Sequence, residues 1–371
     1  MDRFFKWYWA AIIMILPIYI RNVPLDTRVQ RDIFFLYASL FSLAVFKNKI
    51  GKWWAIFCFL FFINSFVGIK TQLSNSAFFQ TINLLCGMAL ISQFSTHWNK
   101  KTERVITASF VFAAVIQMIW IFSQYYNIDL HMAFLKINRT ASYFREGGLW
   151  PIEGSLDNRM VSACYLAGLF PFLLSRYVTI ILIVPLMLSL YLLGSAMGFL
   201  AISCVCVYLF LERVIRWKIV PLVMTFGFLF IALVSVFSLF PAFVNDSGRY
   251  ESWVQCLKWS GVTFFGKGIA QYHDVGWKFV TRIPKLLHPH NEYLAIYFNW
   301  GIAGVLSLAG LLFVLWKRRK KYPLYSMAIV STMASSFGAF PLHISSSALI
   351  VIIALGALLS KGEIYEVTAF N

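Results

Sequence analysis

Negative charge is scarce in this chain. Asp and Glu together number 15 among 371 residues, and charged residues of both signs make up only 13%. A water-soluble domain carries about a quarter charged residues, so this composition leaves too little polar surface for a folded body of this size in water. Carboxylates are almost absent from the long apolar runs, where proton- or sodium-coupled carriers place them. No internal repeat recurs, so the inverted-repeat plan common among secondary transporters has no support. Cysteine offers no disulfide framework. Cys58, Cys86, Cys164, Cys204 and Cys206 lie inside apolar runs, where a thiol serves as a small hydrophobe, and only Cys256 falls in a polar segment. Cys204 and Cys206 have neither the spacing nor the neighbouring histidine of a zinc site. No metal and no cofactor is expected.

What is present is hydrocarbon: 60% of the residues are hydrophobic and 18% aromatic, with a mean hydropathy of +0.73. Many apolar runs approach or exceed the roughly 18–20 residues that cross a bilayer. The expected fold class is an all-α polytopic membrane protein, with residues 1–371 forming a single integral membrane domain. About twelve spans are read, at 6–20, 31–46, 53–69, 77–95, 105–125, 159–175, 177–193, 196–211, 219–240, 292–316, 324–341 and 344–360. The basic start Met1–Lys6 precedes an apolar run without a small-residue cleavage site, which reads as a retained signal-anchor.

The net charge of +17 is not read as a nucleic-acid signal, because the cations sit in short connections between spans. Alternate connections hold Lys47, Lys49 and Lys52; Lys100, Lys101 and Arg104; Arg176; Arg213, Arg216 and Lys218; and the run Lys317–Lys321. With both termini they carry more than half of the 32 Lys and Arg, so by the positive-inside rule they and the termini are cytoplasmic. The two long connections, 126–158 and the larger 241–291 between spans nine and ten, then face outward, toward the periplasm. They are basic as well. The first carries Lys136, Arg139 and Arg145 with Arg159 at its edge; the second carries Arg249, Lys258, Lys267, Lys278, Arg282 and Lys285. The positive-inside rule does not explain outward cations, whereas an anionic ligand does, and phosphate is the anion that arginine forks onto best. Anionic lipid headgroups are the alternative partner.

One polar cluster opens the tenth span: His288-Pro289-His290-Asn291-Glu292. His290 at the outer end of that span has the chemistry of a general base, with Asn291 and Glu292 placed to support it; a histidine resting among headgroups is the plainer reading. Gly301 and Gly304 lie three apart on one side of the span and would let a neighbouring helix approach. Upstream, Ser247-Gly248-Arg249-Tyr250-Glu251-Ser252-Trp253 puts a tryptophan one helical turn after an arginine. Arg249 could hold a diphosphate through two parallel hydrogen bonds, and Trp253 could stack on a sugar or anchor at the interface. Phe264-Phe265-Gly266-Lys267-Gly268 follows as a glycine turn, and Gly154-Ser155-Leu156-Asp157-Asn158-Arg159 leads into span six.

The His290-Asn291, Gly301, Gly304 pattern resembles the signature of the O-antigen ligase and polymerase superfamily, in which His-Asn is followed after nine residues by Gly and after two more by another small residue. Gly248-Arg249 with Trp253 is similar to that family's Gly-Arg-x-x-x-Trp element. The Phe264–Gly268 turn and the Asn158 entry also resemble family elements, in the family's order, over roughly residues 150–320. One departure stands out: many family members carry Ser-Arg-Gly between spans seven and eight, and here Gly194-Ser195-Ala196-Met197-Gly198 has no arginine. The resemblance implies a membrane glycosyltransferase closest to O-antigen ligase. It would move a glycan from a polyprenyl-diphosphate carrier to a sugar hydroxyl of lipid A–core, without a metal and with inversion. The alternative it leaves open is a polymerase whose acceptor is a second lipid-linked glycan. A non-enzymatic lipid-linked-sugar transporter fits less well, because its charges would run along a central cavity rather than gather at one face. The implied catalytic residues are His290 and Arg249, with Arg249, Arg159, Arg145, Arg139 and Lys267 around the donor diphosphate. Asn291, Glu292, Trp253, His288, Gly301 and Gly304 are the implied supporting set.

Overall fold

The computed structural model describes residues 2–18, 27–46, 75–128, 152–212 apart from 154, 157 and 176, 249–269, and 289–360 apart from 340, with a few isolated positions between. Among the described residues the protein is all-helical, with no strand. The helices are α1 (Asp2–Ile15), α2 (Thr27–Val45), α3 (Asn75–His97), α4 (Lys100–Tyr125), α5 (Arg159–Leu173), α6 (Ile183–Leu193), α7 (Ala196–Phe210), α8 (Arg249–Ser260), α9 (Glu292–Arg318), α10 (Pro323–Ser335) and α11 (Ser345–Leu359). Helix occupies every expected span that lies among the described residues; 53–69 lies largely, and 219–240 wholly, outside them.

Two expected spans are interrupted. The run 177–193 splits into a single turn, Tyr177–Ile180, and α6, because Pro185 has no N–H to offer the carbonyl of Ile181. The run 324–341 stops at Ser335 and re-forms as a 3-10 turn at Pro341–His343.

Helices α5, α10 and α11 form the centre, and α1 to α4, α6 and α7 pack around them. Residues Val161–Leu173 of α5 are buried throughout. Close approach depends on small residues: a Cβ on Gly356 of α11 would fall 2.4 Å from the Phe94 Cβ of α3. Pro171 lies within α5 and so leaves the Ala167 carbonyl without its helical partner. Ser331 of α10 supplies the replacement, donating its hydroxyl to that carbonyl at 2.7 Å. The same logic ties α1, α2 and α3: Trp9 Nε1 donates to Ser42 Oγ (3.1 Å), and Ser42 Oγ donates to Gln93 Oε1 (2.6 Å).

Among the described residues many large apolar side chains are exposed. By length and composition, α4 and α9 could cross a membrane, and α5, α6, α7 and α11 are shorter apolar helices. Helix α9 leaves Leu306 60% and Phe313 58% exposed, a surface that suits lipid better than water.

Side-chain contacts sort the polar residues into two ends. At one, Asp2 pairs with His97, Glu212 with Arg319, and Arg318 and Lys321 donate to the carbonyls of Leu358, Leu359 and Ser360. The basic run after α9 thus caps the C-terminal end of α11, where unsatisfied carbonyls and the helix dipole favour cations. At the other end lie the starts of α2, α5, α9 and α11. There Arg31 donates to the Ser155 carbonyl and Ser345 donates to Asp32.

Candidate functional site

Helix α8 is amphipathic. Trp253, Cys256 and Ser260, spaced by three and four, are buried, while Lys258 and Trp259 are exposed. The Trp253 ring packs with Leu294 of α9 and with Leu257, and its Nε1 donates to the carbonyl of Pro289. At 3% exposure this ring has no face left for a sugar. Trp253 is therefore an anchor between α8 and the residue before His290, because an indole buried on apolar neighbours needs one partner for its N–H. Burial pushes the Cys256 thiol up to about 12, against a smaller lowering by the Ser260 hydroxyl, which makes it an inert core thiol.

Gly261 ends α8 in the left-handed region (φ 59°), donating to the Leu257 carbonyl at 3.0 Å. The chain then docks against a break in α9. Lys267 N donates to Phe298 O (2.8 Å) and Gly268 N to Asn299 O (3.0 Å). In the other direction Ile302 N donates to Thr263 O (3.1 Å) and Ala303 N to Phe264 O (2.9 Å). The break is at Gly301, whose φ of 61° and ψ of −152° lie in a region that essentially only glycine enters. A Cβ on Gly301 would fall 2.5–2.6 Å from Gly266 N, Thr263 O and Phe264 O, and a Cβ on Gly266 would fall 2.6 Å from Asn299 C, Trp300 N and Gly301 N. The expected role of Gly301 and Gly304 in packing a neighbouring helix is corrected here. Gly301 breaks its own helix to receive the 263–268 loop. Gly304 lies beneath that kink, facing Trp300 and Ile296 of the same helix.

His290 sits at the start of α9 and is clamped on both sides. Before it, the Pro289 carbonyl is held by Trp253. After it, Asn291 is the N-cap, accepting from Leu294 N at 3.1 Å through its side chain. His290 itself is half-buried with φ 51°, a backbone region few non-glycine residues enter and one that is enriched at functional sites. Asn291 thus serves His290 by fixing the backbone that carries it.

Glu292 does something other than expected. Its Oε1 accepts from Leu342 N (2.8 Å), its Oε2 lies 2.8 Å from Nδ1 of His343, and its backbone N–H donates to Ser336 O (2.9 Å). Glu292 is buried, and both its carboxylate oxygens meet the segment between α10 and α11. The expectation that Glu292 would support His290 is corrected: the buried carboxylate belongs to His343, because a charge taken out of water needs its compensation within reach. His343 is the residue the sequence reading missed. Its signal was a lone histidine in Pro341-Leu342-His343 between two apolar runs, without the polar cluster that singles out His290.

Among the cationic residues, Arg249 opens α8 one turn before Trp253 and so is carried on the helix anchored to Pro289. Lys267 is half-buried, bonds through its main chain, and places Nζ 5.8 Å from the Trp259 ring centroid. Arg159 is exposed on the first turn of α5, behind Asn158, whose side chain caps that helix by accepting from Met160 N (2.9 Å) and Val161 N (3.1 Å). No described contact joins Arg159 to the His290 side. Arg139, Arg145 and His288 lie outside the described residues. One constellation therefore unites the α8 element, the Gly266 turn, His290-Asn291-Glu292 and Gly301, with His343 added. No family model, no curated protein and no solved structure matches this chain.

Proposed function

We propose that the protein is a membrane glycosyltransferase of O-antigen ligase type. It moves a glycan from a polyprenyl-diphosphate carrier to a sugar hydroxyl of lipid A–core on the outward face of a bacterial inner membrane. The observation that carries this reading is the bond from Trp253 to the Pro289 carbonyl. It joins an arginine-led helix to the histidine clamped at the start of α9, two elements that are far apart in sequence and that each resemble one element of the same family. The Gly266–Gly301 contact adds a third element to the same body. The apolar exterior supports a lipid-borne substrate, and the proposal includes twelve spans with both termini cytoplasmic.

The reaction follows from charge. The acceptor hydroxyl oxygen attacks the anomeric carbon, the bond from that carbon to the diphosphate oxygen breaks, and the electron pair leaves with the diphosphate. Arg249, with Lys267 and the basic residues Arg139, Arg145 and Arg159 of the first outward segment, neutralises that leaving group, which lowers the barrier electrostatically. His290 orients the acceptor hydroxyl or takes its proton. Attack from the face opposite the diphosphate inverts the sugar.

Expression in ligase-null and polymerase-null Gram-negative strains tests the reading. Polymer-capped lipopolysaccharide in the first strain supports it. Restored chain length in the second strain without capping in the first replaces it with the polymerase reading, in which a second lipid-linked glycan is the acceptor. No change in either strain refutes both.

A further inference from the structure

A second histidine stands in the constellation, and it has what a proton-accepting imidazole needs. His343 Nδ1 lies 2.8 Å from Glu292 Oε2, and the histidine side chain is 20% exposed while the carboxylate is 3% exposed. A buried carboxylate at this distance from Nδ1 would favour the tautomer with its proton there, which leaves the lone pair on the other nitrogen, Nε2. The turn that carries His343 is fixed from three directions: Leu342 N donates to Glu292, Glu292 N donates to Ser336 O, and Ser345 donates to Asp32 of α2. These bonds hold the backbone that carries His343, and the contact with Glu292 lies at its ring. Glu292 is two residues after His290, so both imidazoles belong to the same end of α9.

We infer that His343, oriented by Glu292, is the proton acceptor of this site; the inference rests on the glycosyl-transfer reading. As the acceptor oxygen bonds to the anomeric carbon and the diphosphate departs with its electron pair, the hydroxyl proton passes to His343 Nε2. The imidazolium so formed lies against the Glu292 carboxylate, which balances its charge. His290 then orients the acceptor hydroxyl, and its clamped backbone suits a positioning role. The competing explanation is that Glu292 and His343 are a structural clip between α9 and the turn after α10.

The test uses the purified full chain in lipid–detergent micelles, with an undecaprenyl-diphosphate-linked O-polysaccharide as donor and rough lipopolysaccharide as acceptor. His343→Ala is expected to lower turnover by about 100-fold or more with the donor KM unchanged, and imidazole added to the buffer is expected to restore part of the rate. Glu292→Gln is expected to lose less, and the double variant no more than His343→Ala, as residues acting as one unit do. His343→Gln, which keeps most of the side-chain volume, serves as the second variant should alanine disturb the fold. A wild-type rate in either His343 variant overturns the inference. So does a loss that imidazole cannot restore and that comes with a lower melting temperature, which is the signature of the clip. A wild-type protein that transfers no glycan refutes the glycosyl-transfer reading itself, and this role with it.

Discussion

Replacing Gly301 by alanine puts a methyl group where the 263–268 loop already stands. The new carbon would lie 2.5–2.6 Å from three backbone atoms, Gly266 N, Thr263 O and Phe264 O, none of which can swing aside as a side-chain tip could. The backbone angles, φ 61° and ψ −152°, cost an alanine about 1–3 kcal/mol by themselves. Relief requires the loop to withdraw, which breaks the four main-chain bonds of Lys267, Gly268, Ile302 and Ala303, each contributing about 0.5–1.5 kcal/mol net. Those bonds resist withdrawal; the backbone strain alone, about 1–3 kcal/mol, shifts the docked arrangement roughly 5- to 150-fold toward the undocked one, and the clash of the methyl group adds to it. Hydrogen–deuterium exchange on peptides covering 263–269 and 298–303 reads this directly, with rapid exchange at those four amides expected in Gly301→Ala. Gly310→Ala is the matched control, since a Cβ there meets nothing within 4 Å on the same helix; it should leave exchange unchanged. If Gly301→Ala exchanges and melts like Gly310→Ala, the loop is not held as described.

Four further outcomes are expected. Trp253→Phe keeps the ring but removes the donor to Pro289 O; stability should fall by about 1–3 kcal/mol for the unmet buried carbonyl, and the start of α9 should become protease-sensitive. Asn291→Ala should lower the melting temperature by the equivalent of about 1 kcal/mol, while Asn291→Asp, which also caps, should stay near wild type. Ser331→Ala strands the Ala167 carbonyl left open by Pro171 and should cost about 1–3 kcal/mol in a thermal melt, with little effect on Gly301-loop exchange. Cys256, its thiol pushed up to about 12 by burial, should resist iodoacetamide at mildly alkaline pH in the folded protein and react only after denaturation; fast native labelling would show that α8 is not seated on α9.

The helical layout was largely legible, because long apolar runs in a sequence this poor in charge have few other folds open to them. The start of α9 was legible too: the apolar run reads from residue 292, and the helix begins at Glu292, behind an Asn291 cap that the sequence reading does not name. What was not legible depends on partners distant in the chain. Gly301 and Gly304 have one spacing whether they admit a neighbouring helix or break their own, and only the loop ladder from 263–268 decides between the two. Trp253 looked equally suited to a sugar or an anchor until Pro289 and Leu294 were found against it. Glu292 adjoins the His290-Asn291 pair in sequence yet points to a residue fifty positions on, because a buried carboxylate is satisfied by whatever donor the fold brings within reach. Run 177–193 reads as continuous by hydropathy, which does not register the missing N–H of Pro185.

The most direct measurement is lipopolysaccharide capping in a ligase-null strain carrying wild type, Arg249→Ala or His290→Ala at equal membrane levels. Capping by wild type, lost in both variants, is the predicted result. Capping by all three alike would contradict a glycan-transfer site built on the α8 element and the start of α9.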